Sequence, residues 1–301
     1  MSARIAHAAS AVPRSPVLAA APHRIGTVAL VVHDLDAVAT FYEEVLGLQP
    51  LERSPDSARL GTGSTALLEL VREPLARRRS PREAGLFHTA FLLPGRAELG
   101  AWIGFATQRR IAVQGAADHA VSEAIYLADP EGNGIEIYAD RPADEWPATA
   151  TGYRMPSDPL NVEAVLAAAG GRRWQGFPDG GTVGHIHLQV GAIAPAESFY
   201  GGLLGFDLTC RYPGGSFFGS GGYHHQIATN IWNSRGAPPR QEPVTGLLRF
   251  ELLARDRGVV DATAQRLAAA SVATTPMDGG LAVQDPWGTR IQLRAPAQLE
   301  G

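Results

Sequence analysis

The chain repeats itself, and this repeat restricts the folds open to it more than any other feature of the sequence. Residues 41–48 (Phe-Tyr-Glu-Glu-Val-Leu-Gly-Leu) return as residues 199–206 (Phe-Tyr-Gly-Gly-Leu-Leu-Gly-Phe). The turn Asp-Pro-Glu-Gly at 129–132 returns as Asp-Pro-Trp-Gly at 285–288. The two offsets, 158 residues (199 less 41) and 156 residues (285 less 129), are nearly equal. The chain therefore consists of two similar halves.

Each half is itself doubled. Strand-like runs lie near residues 25–32, 87–93, 184–190 and 247–253, and a helix-like stretch follows each of them, at 36–46, 97–110, 195–204 and 259–270. Short runs split by Gly-rich or Asp-Pro turns come next and are typical of antiparallel strands. A lone βαβββ unit of about 50 residues would leave one face of its sheet uncovered. We therefore expect an α+β fold in which four βαβββ modules pair into two half-barrel sheets, each with a cleft.

These patterns divide the chain into four parts. Residues 1–22 are rich in Ala, Ser and Pro, and we expect a flexible tail there. A first domain spans 23–142, with modules at 23–72 and 85–141. A linker with several prolines and a predicted helix at 162–169 covers 143–180. A second domain spans 181–297, with modules at 182–233 and 244–295.

Composition excludes several classes of function. The chain has 301 residues and no lysine, so a Schiff-base lysine and a P-loop lysine are both absent. Its net charge is −4 and its arginines are scattered, which argues against a nucleic-acid partner. Cys210 stands alone, so no internal disulfide forms, and a reducing cytoplasm is the simplest location. No segment has the length of a membrane span or a signal peptide.

Aligning the modules places two histidines and a carboxylate at equivalent inward positions. The first strands put Thr27, His88, His185 and Arg249 in one column, and the last strands put Glu136 opposite Gln292. If modules 2 and 3 pair, one cleft holds His88, His185 and Glu136, which is the 2-His-1-carboxylate set that suits Fe(II) and would also accommodate Mn(II). The remaining pair of modules would then enclose a metal-free cleft. Pairing modules 1 and 2 instead would offer His88, Glu136 and Glu69, and we favour the first arrangement.

A structural interpretation of these residues is also open. A single histidine in a strand is more often a packed core residue than a ligand, and Glu136 in Ile-Glu-Ile could face solvent. Against this, six of the nine histidines fall on the two modules that would share the metal cleft: His88, His119, His185, His187, His224 and His225. His187 lies two residues after His185 and therefore on the same face, so we expect it to line the pocket.

Several segments together resemble a known family. The four modules, the Phe-Tyr-x-x-x-Leu-Gly helix ends and the stretch 129–138 resemble the vicinal oxygen chelate superfamily, which includes glyoxalases, bleomycin resistance proteins and extradiol dioxygenases. Residues 119–127 are similar to type I extradiol ring-cleaving dioxygenases, while 184–188 and 221–225 resemble the bacterial two-domain catechol 2,3-dioxygenases. The resemblance runs from about residue 23 to 296. It departs in one respect, because the last module carries Arg249 and Gln292 where that family holds its metal.

The resemblance implies an enzyme that inserts O2 into a small catechol-like aromatic diol with the help of Fe(II). It implies His88, His185 and Glu136 as metal ligands, and His225, His119 and Tyr126 as catalytic groups that serve as acid or base and contact the diol. The substrate-binding candidates are His187, His224, Tyr223 and Trp232. Aromatic residues of the third module could equally be ordinary core. A homo-oligomer is compatible with the sequence.

Two other classes of function remain open at this point. One is a glyoxalase-like or resistance-type metalloenzyme on the same scaffold, which would have no need of His225 and Tyr126. The other is a metal-free drug-binding protein, for which His88, His185 and Glu136 would be unnecessary. Loss of metal from a folded His185→Ala variant would separate the enzymes from the binding protein.

Overall fold

Two curved sheets form the body of the protein. A computed structural model describes residues 15–296, and it places eight strands in one sheet and nine in the other. A short helix, α1 (Pro16–Ala20), precedes the first module. The mixture of two curled sheets with few helices confirms the predicted α+β class.

Every module has the predicted order of one strand, one helix and three strands. Module 1 contains β1 (His23–Val32), α2 (Leu35–Phe41), β2 (Gln49–Arg53), β3 (Ser57–Thr62) and β4 (Thr65–Arg72). Module 2 contains β5 (Gly85–Leu92), α3 (Arg96–Arg109), β6 (Gly115–Asp118), β7 (Ser122–Ala128) and β8 (Gly134–Asp140). The linker adds β9 (Asp158–Pro159) and α4 (Val162–Ala168).

The second half repeats this order. Module 3 contains β10 (Thr182–Gln189), α5 (Ile193–Ala196), β11 (Asp207–Tyr212), β12 (Gly215–Gly219) and β13 (Ile227–Asn230). Module 4 contains β14 (Gly246–Ala254), α6 (Arg257–Ala269), β15 (Thr274–Met277), β16 (Gly280–Gln284) and β17 (Arg290–Arg294). In both halves the first helix continues into a π-helical turn, Tyr42–Leu46 or Glu197–Leu203.

The modules pair across the two halves of the chain. The strand order is β15-β16-β17-β14-β1-β4-β3-β2 in one sheet and β11-β12-β13-β10-β5-β8-β7-β6-β9 in the other. Within each module the first strand runs parallel to the last, and two modules join through antiparallel first strands, β1 with β14 and β5 with β10. Modules 1 and 4 therefore share one sheet and modules 2 and 3 share the other, as the arrangement favoured above requires.

The repeated motifs connect the two sheets. The tyrosine of each Phe-Tyr motif reaches the aspartate of the Asp-Pro turn in the next module: the Tyr42 hydroxyl lies 3.5 Å from Asp129 Oδ2, and the Tyr200 hydroxyl 2.8 Å from Asp285 Oδ2. All four side chains are buried. In each half of the chain, the repeated tyrosine and aspartate therefore link the module of one sheet to the module of the other.

Two segments are more ordered than the sequence suggested. Residues 1–14 of the expected tail lie outside the described part of the chain, but 16–20 form α1, and its Leu18 is buried against the core near Trp146 and Tyr223. The expected linker also packs closely. A methyl group on Gly100 of α3 would lie 2.2 Å from the Val165 carbonyl oxygen of α4, so glycine permits the contact of these two helices.

Candidate metal centre

Three neighbouring strands bring the predicted ligands to one face of the nine-stranded sheet. Ala90 of β5 lies opposite Glu136 of β8 on one side and His185 of β10 on the other. His88 lies two residues before Ala90 and therefore points to the same face. Ala90 is fully buried, and its small side chain leaves the space between the three longer ones open.

The three side chains converge on a single point. His88 Nε2 lies 2.9 Å and His185 Nε2 3.1 Å from the same oxygen, Glu136 Oε2. One potential ligand atom from each residue lies within 4.8 Å of the others, and all three side chains are buried. The His185 nitrogen is aligned for a hydrogen bond to the carboxylate, whereas His88 Nε2 is buried without an aligned partner among the described residues. Two imidazole nitrogens and a carboxylate oxygen aimed at one point fit a divalent cation.

Burial and mutual proximity set the charges of this cluster. Burial alone would raise the pKa of Glu136, but His185 and His88 more than offset it and hold the pKa well below its usual range. Burial lowers the pKa of His185, and Glu136 opposes this only partly. The pKa of His187 is lowered further by burial together with the adjacent His88 and His185. A carboxylate beside neutral imidazoles is the protonation state in which these groups bind a metal.

A cavity of about 690 Å³ opens directly onto the cluster. Aromatic rings form one of its walls: the Phe87 ring centroid lies 5.4 Å from that of Trp232 and 4.9 Å from that of His187. Leu127 and Phe217 add further apolar surface to the lining. His187 and Trp232, both predicted to bind substrate, lie in this lining, and their role in binding stays a prediction.

His119 and Tyr126 form a hydrogen-bonded pair in the same cavity. His119 Nε2 lies 2.6 Å from the Tyr126 hydroxyl, and His119 Nδ1 lies 2.6 Å from the Pro156 carbonyl oxygen. Because a carbonyl oxygen only accepts, Nδ1 carries a proton, and in neutral His119 the Nε2 atom accepts from Tyr126. Burial and the charge of Glu136 raise the pKa of Tyr126 well above its usual value, so the phenol stays neutral.

His225 lines the cavity, but its two predecessors do not. Its ring centroid lies 4.2 Å from that of His185, and burial, followed by His185 and His224, lowers its pKa well below the usual range. Tyr223 and His224 are fully buried behind it, so the structure does not bring these two predicted substrate-binding residues to the cavity. These three residues precede β13 in an irregular segment, and of the three only His225 lines the cavity.

The other sheet carries an ion pair at the corresponding place. Ala29 of β1 lies opposite Glu69 and Arg249, just as Ala90 lies opposite Glu136 and His185. Arg249 Nη2 donates to Glu69 Oε2 at 2.6 Å. A guanidinium in place of an imidazole removes a metal-binding nitrogen and supplies the positive charge itself.

Two features of the site were not predicted, one in the cavity lining and one behind it. Met155, Pro156 and Ser157 close one side, although they belong to the segment treated as a linker, and no periodicity marks them. Asp140 stands behind His224, with its Oδ1 atom 2.9 Å from His224 Nε2. The alternation from Glu136 through every second residue of β8 leads to Asp140, and this signal could have revealed it.

Comparison with known proteins agrees with this architecture. The sequence model of the Glyoxalase/Bleomycin resistance protein/Dioxygenase superfamily matches residues 24–137 and 182–293. The chain belongs to this superfamily. This superfamily member is also 39% identical over 267 residues to a Bacillus subtilis (strain 168) protein named Catechol-2,3-dioxygenase, and the alignment covers 87% of this chain and 93% of that protein.

Solved structures show the same fold. A structure from Bacillus subtilis subsp. subtilis str. 168 matches with a TM-score of 0.63 and 12% identity, covering 96% of this chain and 87% of that one. Glyoxalase I from Zea mays matches with a TM-score of 0.53 and 16% identity, covering 90% and 92%. Identities this low show the fold of the superfamily and not the reaction. Within residues 15–296, no helix has the length and apolar character needed to cross a membrane.

Proposed function

We propose that this superfamily member is a metal-dependent extradiol dioxygenase of the catechol 2,3-dioxygenase type. The convergence of His88, His185 and Glu136 at the floor of an aromatic-walled cavity carries the proposal. The 39% identity to the Bacillus subtilis Catechol-2,3-dioxygenase supports it over most of the chain. The substrate class is a small aromatic diol, and O2 is the second reactant. The cytoplasmic location stays a prediction.

The donor set indicates the metal. His88, His185 and Glu136 would hold Fe(II), and the same ligands would accept Mn(II). The chemistry that such an ion would supply, held by these three residues, is a lowered pKa of the diol oxygens. The depressed pKa of Glu136 keeps its carboxylate ionised to balance the charge of the ion.

The remaining polar residues act on the substrate oxygens. The Tyr126 hydroxyl donates a hydrogen bond to His119, and the lone pairs of the phenol oxygen can accept one from a substrate hydroxyl. His225 lies on the opposite side, beside His185, and its neutral ring can accept a proton from the diol and return it later. Phe87 and Trp232 hold the flat ring and exclude water from one face.

A pair of variants on one strand tests the metal site. His185→Ala should lose the metal while the protein stays folded, because one of three ligands is gone. His187→Ala, two residues further along β10 and outside the ligand group, should retain the metal. Metal analysis after anaerobic purification, with circular dichroism to verify folding, measures both. Retention of metal by His185→Ala would refute the assigned ligand set.

Activity tests the reaction. The anaerobic, metal-loaded protein should consume O2 and form a yellow ring-opened product when a catechol and air are added. Absence of both across several catechols would refute the dioxygenase proposal while leaving the metal site intact. That result would favour the glyoxalase-like or resistance-type enzyme. Unchanged ligand binding by His185→Ala would instead favour the metal-free binding protein.

A further inference from the structure

We propose that Asp140 and His224 are positioning residues that fix His225 in the tautomer whose Nε2 lone pair faces the cavity. The chemical use of that lone pair rests on the proposed function, but the tautomer itself does not. An unbroken chain of hydrogen bonds leads from the cavity into the interior.

The chain has three members and two contacts. His225 Nδ1 lies 2.8 Å from His224 Nδ1, and His224 Nε2 lies 2.9 Å from Asp140 Oδ1. His225 lines the cavity, whereas His224 is fully buried. His224 therefore uses both ring nitrogens, whereas His225 uses only Nδ1 and has Nε2 left for the cavity.

With both rings neutral and Asp140 ionised, counting donors and acceptors fixes the positions of the protons. An ionised Asp140 can only accept, so His224 Nε2 carries a proton and donates it. In neutral His224 the other nitrogen, Nδ1, is then an acceptor. His225 Nδ1 must donate to it, which leaves Nε2 of neutral His225 without a proton. The reverse tautomer of His224 would place two acceptors 2.9 Å apart in a buried site, which is unfavourable.

The surroundings hold this chain in place. The His224 ring lies 4.1 Å from the Tyr223 ring, at an interplanar angle of 31°, and 4.9 Å from the Trp146 ring. The Tyr223 hydroxyl donates to Asp140 Oδ1 at 3.1 Å, so two donors converge on the same carboxylate oxygen. His224 cannot turn over without losing the contact to Asp140, and the tautomer of His225 is therefore determined by residues that never touch the substrate.

The consequence for the reaction is a directed proton transfer. A substrate O–H bond breaks as the proton moves to His225 Nε2, and the electron pair stays on the substrate oxygen. Transfer of the Nδ1 proton from His225 to His224 would then leave a neutral His225 with an Nε2–H, while the positive charge rests on His224 beside Asp140. The other tautomer of His225 would present an N–H to the substrate and could not accept its proton.

Nuclear magnetic resonance tests the tautomer without any turnover. In Zn(II)-loaded protein with 15N-labelled histidine, long-range 1H–15N correlations should show His225 protonated at Nδ1 and bare at Nε2, with His225→Gln identifying the signals. His224→Phe should abolish this preference, since the phenyl ring offers no acceptor. A His225 protonated at Nε2 in the unaltered protein, or a preference that survives in His224→Phe, would overturn the proposal.

Kinetics separates positioning from folding. His224→Phe should lower kcat by about 10²-fold or more, the usual contribution of a general base, with KM and metal content nearly unchanged. His224→Asn places an amide oxygen near the position of Nδ1 and should recover most of that loss. The same His→Phe exchange at His33, whose ring bonds the Ala76 carbonyl oxygen and does not line the cavity, should leave kcat unchanged.

The outcomes distinguish the two proposals. If the tautomer is as stated but no catechol is cleaved, the proposed function fails and the positioning role stands. If catechol is cleaved and His224→Phe retains full kcat, the positioning role fails and the function stands. Equal losses of metal and of melting temperature in His224→Phe and His224→Asn would mark His224 as structural only, and would also overturn the inference.

Discussion

A buried histidine at the start of β1 should make the stability of the protein depend on pH. His23 is 3% exposed, its ring stacks on Phe206 at 4.6 Å, and neither of its ring nitrogens has a hydrogen-bond partner among the described residues. Burial, together with the nearby charge of Arg266, lowers the pKa of His23 from 6.5 to about 4. The folded protein therefore keeps this ring neutral at pH values where an unfolded chain would protonate it.

The direction and size of the effect follow from linkage. Between pH 6.5 and about 4 the unfolded chain binds a proton at His23 that the folded protein does not, so the free energy of unfolding falls as the pH falls. At about 1.4 kcal/mol per pKa unit, the difference between 6.5 and about 4 lowers the free energy of unfolding by about 3 kcal/mol once the pH is below 4. Of this, about 2 kcal/mol disappears between pH 7 and pH 5.

The variant His23→Leu isolates this contribution. Its side chain cannot titrate, and the backbone contacts of residue 23 with Ser220 and Gln226 do not involve the ring. Urea unfolding at pH 7 and pH 5 should show a loss of stability about 2 kcal/mol smaller in His23→Leu than in the unaltered protein. Ser220→Ala, which removes a hydroxyl that accepts from the His23 backbone, should lower stability equally at both pH values. Identical pH dependence of His23→Leu and the unaltered protein would refute the reasoning.

Two further predictions concern the cavity. In Gly184→Ala the new methyl group would lie 1.9 Å from the hydroxyl oxygen of Tyr138, and the Tyr138 ring contacts His185. Metal content should therefore fall, and the free energy of unfolding should drop by about 1–3 kcal/mol. Gly202→Ala, which has no atom within 4 Å of the added group, should change neither. Trp232→Ala should raise KM for catechol several-fold with little change in kcat, because an aromatic contact contributes about 0.5–1.5 kcal/mol to binding. Steady-state kinetics in which kcat falls and KM stays unchanged would show that Trp232 does not bind the substrate.

The sheet side of the site could be predicted because strand alternation fixes which way a side chain points. His88 and Glu136 fall on one face once the strands are aligned, and pairing the modules brings His185 beside them. The choice between His185 and His187 was harder, since both share that face. The register shift between Val183 and His185 sets how β10 lies against β5, and no sequence pattern announces it.

The loop side of the site could not be predicted in the same way. Tyr223 and His224 precede β13 in a segment without regular alternation, so nothing in the sequence indicated that both turn away from the cavity. Met155 and Pro156 reach the cavity because the segment after module 2 folds back and pairs as β9 with β6, a contact between distant residues that a local pattern does not encode. Alternation along β8 would have placed Asp140 on the face of Glu136, but an aspartate at a strand end is also typical of a turn, so it was not predicted.

The two sheets show why one cleft collects metal ligands and the other does not. Counting from Ala90 and from Ala29, the register makes Glu69 the counterpart of Glu136 and Arg249 the counterpart of His185. Both sheets therefore carry a glutamate at this position. In one sheet its neighbour is the guanidinium of Arg249, and in the other it is the imidazole of His185. In one cleft the Arg249 guanidinium supplies the positive charge beside Glu69, whereas in the other Glu136 lies beside two imidazoles, whose nitrogens are metal donors. Because the modules pair across the two halves of the chain, each cleft receives residues from both halves. Whether a cleft can bind a metal therefore depends on which residues the strand register places on its inner face, and not on which half supplies them.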